Sequence, residues 1–232
     1  MKLLYIDCFS GFTTEMLFGA LIDMGAPKGY IEEELKKSGF EAEIIADTVK
    51  RGDMDCVSAY VKCHSKEYGD KKENFKNFLK LQCMEEEFLK ANNFIGSVDT
   101  EILCMWLACL YAIESFQIDA VICSDVNEGC VFLGDDIKPI SPNSVYRALK
   151  RYNIPTNILD VSKELITLEG VIFLGEVADK FGILPLSQVN CVGYGAGDTD
   201  IEGCVNIIRT VIADTEEDFS LLKELKEEMC FA

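Results

Sequence analysis

Residues 3–16 read Leu3-Leu4-Tyr5-Ile6-Asp7-Cys8-Phe9-Ser10-Gly11-Phe12-Thr13-Thr14-Glu15-Met16, and the reading of this stretch decides the fold class. The apolar run fits a short buried strand that ends on an acid. Gly11 sits in the turn that follows, and Thr13 or Thr14 can cap an apolar helix. A strand feeding a helix start leaves backbone N–H groups pointing outward, where an anion can sit. Ser10, Gly11, Thr13 and Thr14 would then line an anion site, with Asp7 and Glu15 expected at its rim, so a metal fits the spot as well as a phosphate does. A plainer reading stays open beside it. A threonine here can be only an N-cap and Glu15 only a first-turn acid, and one glycine is far short of a P-loop.

Working outward, residues 3–8 form the strand and 14–24 a helix that is apolar on nearly every side, hence deeply buried. Gly25 and Pro27 end it, and a second helix over 29–38 stops at Gly39. Residues 41–49 and 56–63 alternate like strands around the turn Lys50-Arg51-Gly52-Asp53, which predicts an antiparallel hairpin. A polar loop over 65–74 follows, then a helix marked by Phe75, Phe78, Leu79, Met84 and Phe88. A break at 92–97 precedes a long apolar helix over 98–116. The pattern continues with a strand at 120–124, a loop over 125–142 and a helix at 143–152. Residues 165–181 read as helix with a weak point at Gly170, and 191–195 and 204–212 as strands flanking a glycine turn. Residues 215–230 form an amphipathic helix. Interleaved helices and strands give an α/β or mixed α+β class, a mixed sheet packed with several helices. The expected organisation is one domain over 1–214, divisible near 92–97, followed by the helix at 215–232.

The net charge of −18 repels nucleic acid and anionic lipid, so any nucleotide must be held locally by helix ends, a few cations or a bridging metal. Eleven cysteines occur without a C-x-x-C, which removes zinc-ribbon spacing. The N-terminal apolar run is too short for a signal peptide, and the longest apolar run, Ile102 to Ile113, is too short to span a bilayer. The cysteines therefore read as reduced, buried, small hydrophobes of a cytoplasmic protein.

Four further clusters stand out in the sequence. Gly193-Tyr194-Gly195-Ala196-Gly197, followed by Asp198, Asp200 and Glu202, imitates the first half of an EF-hand loop, but Arg209 stands where the bidentate glutamate is required. The glycines either let backbone approach a ligand or merely shape a turn, and both readings remain. His64, the only histidine, follows Cys63 and precedes Glu67, a donor set suited to nickel, copper or zinc. Adjacent strand residues face opposite ways, however, so a solvent-facing histidine is the plainer reading. Asp99 and Glu101 begin the long apolar helix, and Arg147, Lys150 and Arg151 end another, both as helix dipoles prefer.

These pieces, taken in order, resemble the N-terminal part of the LarC-type nickel insertion proteins, the pyridinium-3,5-bisthiocarboxylic acid mononucleotide nickel chelatases. The matching stretches are Ile6 to Gly11 with Met16, Gly19 to Gly25, Glu34 to Lys37, Val49 to Gly52 and Gly96 to Asp99. Glu164 to Thr167 with Gly170, and Gly193 to Gly197 with Asn206 and Arg209, complete the series. The resemblance implies nickel insertion, a lyase-type step, into a sulfur-bearing pyridinium mononucleotide with help from a cytidine nucleotide. It implies metal contacts at Asp7, Glu15 and Asp99, with His64 where the family's histidine-rich stretch begins. It implies ligand contacts at Ser10, Gly11 and the glycines of 193–197. Catalytic residues are not identified.

The chain departs from that pattern at several polar positions. Thr14-Glu15 replaces Gly-Asp, Asn93-Phe94 replaces a His-Glu pair, and Leu103 stands in place of an acid. Asp135-Asp136 stands where a histidine is expected, Leu168-Glu169 replaces Pro-Thr, and only His64 remains of the histidine cluster. The family's C-terminal domain, to which nucleotide binding and oligomerisation are attributed, has no counterpart in these residues. Fewer imidazoles weaken nickel binding at neutral pH. Two classes stay open: a metal-handling protein acting on a nucleotide-like ligand, and a non-catalytic interaction module that docks a protein partner or itself through 215–230. An enzyme using clustered acids with Mg²⁺ or Mn²⁺ is a third.

Overall fold

The structure, a computed structural model, describes residues 1–64, 100–134 and 136–221. Ten strands and five helices are described: β1 (Lys2–Asp7), α1 (Thr14–Asp23), α2 (Lys28–Lys37), β2 (Ala42–Arg51), β3 (Met54–Cys63), α3 (Thr100–Ser115), β4 (Ala120–Cys123), β5 (Val126–Leu133), β6 (Asp136–Pro139), α4 (Asn143–Arg151), β7 (Thr156–Asp160), α5 (Leu168–Val177), β8 (Lys180–Phe181), β9 (Ser187–Ala196) and β10 (Ile207–Thr215). Seven strands form a mixed sheet in the order β2-β3-β9-β10-β1-β4-β8, and β6-β5-β7 form a second sheet. This is the mixed architecture that the interleaved pattern predicts.

Alternation along β1 sorts the two faces of the large sheet. Leu4 and Ile6 enter the main core with Met16, Leu17, Ala20 and Leu21 of α1 and Trp106 of α3. Leu3 and Tyr5 point the other way, into a smaller cluster with Ile122, Val211 and Phe219. α1 packs on β3, β9 and β10, while α3 packs on α1, α2 and β3.

α1 comes unusually close to the sheet. A Cβ on Gly195 would stand 1.7 Å from the Met16 carbonyl oxygen, and one on Gly193 2.2 Å from that of Ala20. The helix backbone therefore rests directly on β9, a separation that only glycine permits.

The structure corrects several expectations. Residues 125–142 are not a loop: β5 and β6 pair antiparallel there, with Cys130 opposite Pro139 and Leu133 opposite Asp136. Their Gly, Asp and Pro content reflects the hairpin tip and an exposed edge strand. The helix expected over 165–181 spans only Leu168–Val177, because Ile166 is bridged to Phe12, Thr167 caps α5 by accepting from Gly170 N at 3.2 Å, and Lys180–Phe181 form β8. Gly170 is thus the landing point of the cap rather than a weakness. Thr215 ends β10 instead of opening a helix. Phe219, within the segment 215–230 expected to dock a partner, is buried against Leu3 and Tyr5. The expectations for 65–99 (the loop, the helix marked by Phe75 to Phe88, the break and Asp99), for 135 and for 222–230 lie outside the described residues.

Gly195→Ala should destabilise the chain by about 1–3 kcal/mol or more, since neither backbone can give way cheaply. Urea denaturation followed by circular dichroism measures this. A midpoint equal to that of the unsubstituted chain would refute the close seating of α1.

Candidate functional site

The turn that leads into α1 is tied to the chain that leads into α5. Phe12 N donates to Leu165 O at 2.8 Å, and Phe12 and Ile166 form a parallel bridge. Gly11 makes this possible: its φ is +96°, and a Cβ there would stand 2.2 Å from Leu165 O. The next residue on each side is an N-cap threonine. Thr13 accepts from Met16 N at 3.3 Å and Thr167 from Gly170 N at 3.2 Å. Two helix N-termini therefore open side by side.

A cavity of about 190 Å³ lies at this double mouth. Thr13, Lys163, Glu164, Leu165 and Thr167 line one part, and Gly197, Asp198, Thr199, Ile201 and Asn206 the other. Asn206 holds the second wall together: its backbone oxygen accepts from Gly197 N at 2.9 Å, and its side-chain amide donates to Thr199 O at 2.7 Å. Gly197 leaves room for this amide, since a Cβ would stand 2.4 Å from the Asn206 side-chain nitrogen and displace it. Arg51, from the β2–β3 hairpin, braces the same wall by donating to Gly197 O at 2.7 Å. Orphan N–H groups, two helix dipoles and Lys163 favour an anion at this mouth. Glu164 lies at the same mouth, and burial first and Glu169 second push its pKa up.

The structure brings together Thr13 and Gly197 of the sequence-derived candidates. Ser10 and Thr14 are buried beside them. Gly193 and Gly195 have their hydrogens turned toward α1 rather than toward a cavity.

Asp7 and Glu15 do not share a rim. Asp7 is on the Leu3/Tyr5 face of the sheet, opposite Arg209 in the β1–β10 register, and accepts from its Nη2 at 2.5 Å. Its side chain is only 16% exposed, so this cation occupies it. Glu15 lies in the first turn of α1, where its charge reaches Cys109 of α3 and helps burial to raise that thiol's pKa. Strand alternation separates the two acids, since the turn reverses the chain onto the other face of the sheet.

His64 lies beyond β3, with Nε2 3.8 Å from Glu43. It borders a separate groove with Glu32, Glu33, Lys36, Phe40, Glu41 and Ala42. Among the described residues no group of three or more His, Cys, Asp and Glu side chains is arranged to hold a metal. Sequence reading missed Lys163, Arg51 and Asn206 as site residues. The last two fall inside the stretches that carry the family resemblance, which is the signal that could have found them.

Thr167→Val, which removes the α5 cap while keeping the shape, should cost about 1 kcal/mol of stability in urea denaturation. A neutral result would show that the cap at the double mouth is not formed.

The nickel insertion protein family matches residues 4–93 and 94–229. An Acetivibrio thermocellus protein named pyridinium-3,5-bisthiocarboxylic acid mononucleotide nickel insertion protein is 26% identical over 99% of this chain and 64% of its own length. A Staphylococcus epidermidis protein of the same name is 28% identical over 93% of this chain and 60% of its own. A putative nickel insertion protein of Wolinella succinogenes is 27% identical over 92% and 61%. This chain thus spans about three fifths of the length of these curated relatives. No solved structure matches it. The match runs through both ends of the described fold and through every wall of the cavity, and the chain belongs to the nickel insertion protein family.

Proposed function

We propose that this chain acts in nickel insertion into a nucleotide-like organic cofactor, and that the cavity at the paired helix mouths receives the phosphate of that nucleotide. The observation that carries the reading is convergence. Glu164, Leu165 and Thr167 of one matching stretch, and Gly197 and Asn206 of another, are far apart in sequence and meet around one cavity, with Thr13, which follows the matching Ile6–Gly11 run, beside them. The relatives' printed name supplies the ligand class, a pyridinium mononucleotide bearing two thiocarboxylates.

In this reading Thr13 and Thr167 orient the two helix starts, and their unpaired N–H groups face the phosphate oxygens. Lys163 supplies the local positive charge that a chain of net charge −18 otherwise lacks. Glu164 and Asp198 suit a Mg²⁺ or Mn²⁺ ion shared with the phosphate, since hard cations prefer oxygen donors. Nickel is cargo, delivered to the sulfur end of the ligand, and a cytidine nucleotide is a second candidate occupant. The nine described cysteines are all free, which suits a reducing, cytoplasmic setting.

A second reading is a non-catalytic scaffold that keeps the fold and not the chemistry. The ion pair that occupies Asp7 and the absence of a ligand triad among the described residues favour it.

Isothermal titration with nicotinic acid mononucleotide as the pyridinium probe, and with a cytidine nucleotide, separates the two readings. Binding that inorganic phosphate displaces supports the first. Lys163→Met should then weaken it roughly tenfold, the loss of one charge-assisted contact, and flatten its salt dependence. No binding of either nucleotide at millimolar concentration ends the first reading and leaves the scaffold.

A further inference from the structure

Where the parallel strands β1 and β4 end side by side, two cysteines meet. Cys8 Sγ and Cys123 Sγ are 3.5 Å apart, although 115 positions separate them in sequence. They are held there by backbone geometry. Ile6 is in register with Cys123, and Ser124 Oγ accepts from Cys8 N at 2.9 Å. The carboxyl ends of adjacent parallel strands are where open α/β sheets carry ligands.

The spacing itself carries chemical information. With metal–sulfur bonds of about 2.3 Å, sulfurs this far apart subtend an angle of about 100° at a shared ion. That value lies between the square-planar and tetrahedral angles, so both sulfurs reach one four-coordinate ion with almost no movement. A pair leaves two coordination positions open, which a storage or structural site does not.

We propose that Cys8 and Cys123 form a two-thiolate landing site for a soft divalent metal, with the open positions left for the sulfurs of an incoming ligand. The proposal deepens the function given above and rests on it only for the identity of the metal as nickel. Binding breaks two S–H bonds, releases two protons to solvent and forms two metal–sulfur bonds, with no change of oxidation state. In transfer, two thiocarboxylate sulfurs replace the cysteine sulfurs, and each cysteine takes back one proton from solvent.

Both sulfurs are fully buried, so the metal enters by displacing the turn between Cys8 and Phe12, whose Phe9 is partly exposed, while Cys8 stays in place. Between its anchors at Cys8 and Phe12 the turn is held by Gly11 N to Cys8 O at 3.0 Å and by the Asn127 amide to Phe9 O at 2.7 Å. The same turn continues into Thr13 of the cavity wall, so a ligand seated there reaches the segment that covers the thiols. Burial first, and Cys8 beside it, push the Cys123 thiol up, so the metal must displace a firmly held proton, after which soft sulfur keeps a soft metal better than surface carboxylates do.

The test is X-ray absorption at the nickel edge on the nickel-loaded chain, with nickel affinity measured for Cys8→Ser, Cys123→Ser and the equally buried Cys109→Ser. Sulfur scattering should be present in the unsubstituted chain and in Cys109→Ser. It should be lost or halved in the other two, with affinity at least tenfold weaker. A shell of nitrogen and oxygen only, no bound nickel, or a sulfur shell unchanged in both Cys8→Ser and Cys123→Ser would overturn the proposal. The measurement on the unsubstituted chain keeps it falsifiable should a serine variant fail to fold. Nucleotide titration of the same samples separates the two ideas, because sulfur-bound nickel without nucleotide binding would sink the proposed function alone.

Discussion

The seat of α1 on β9 is the contact on which the rest of the structure depends. Gly193 and Gly195 let the helix backbone rest directly on the strand, with the Met16 and Ala20 carbonyls closer than any side chain would allow. That contact fixes the height of α1 above the sheet and hence the position of its first turn. Thr13 then falls beside Thr167, because Phe12 is already bridged to Ile166. A helix held off the sheet by one methyl group would carry its N-terminus away from that partner. Two glycines that look like turn formers in sequence thus set the geometry of a site at the N-terminal end of the helix that they seat.

The charge balance of the molecule explains why that geometry matters. A strongly acidic chain repels phosphate at a distance, so attraction must come from groups within a few ångströms. Helix N–H groups meet this need because they carry no countercharge to be neutralised, and Lys163 adds one full charge at the same mouth. Arg51 and Arg209, the other cations close to this end, are committed elsewhere. Arg51 braces the Gly197 carbonyl, and Arg209 pairs with Asp7. In Arg209, burial works against the charge, while Asp7 and Tyr194 outweigh it and raise its pKa.

Much of the fold was legible because local rules governed it. The helix starts at Thr14 and Asn143, the β2–β3 hairpin and the strand at Ala120 each follow from periodicity and punctuation within a few residues. What sequence hid was set by partners distant in the chain. β7 has no strong pattern of its own and exists because Val126 to Cys130 lies alongside it. The hairpin of β5 and β6 looked like loop because its edge strand is exposed at every position. The candidate site divides in the same way. Thr13 was legible as a cap, whereas Lys163 and Arg51 acquire meaning only when the chain returns to the helix mouth. Asp7 misled for a related reason: its neighbour in space is Arg209, 202 positions later.

The position of Asp7 bears on the proposed division of metal and nucleotide binding in this scaffold. A carboxylate that already holds a guanidinium at 2.5 Å is a poor ligand for a soft divalent ion. The residue beside it faces the other side of the strand end, where Cys123 comes within 3.5 Å. One step along the backbone therefore passes from a hard, paired, partly exposed oxygen to a soft, buried sulfur. Oxygen and backbone donors gather at the helix mouths, and sulfur gathers at the strand ends, joined by the single turn from Cys8 to Thr13. A ligand with a phosphate at one end and sulfurs at the other matches that separation of donor types, whereas one site of mixed donors would hold metal and phosphate in competition.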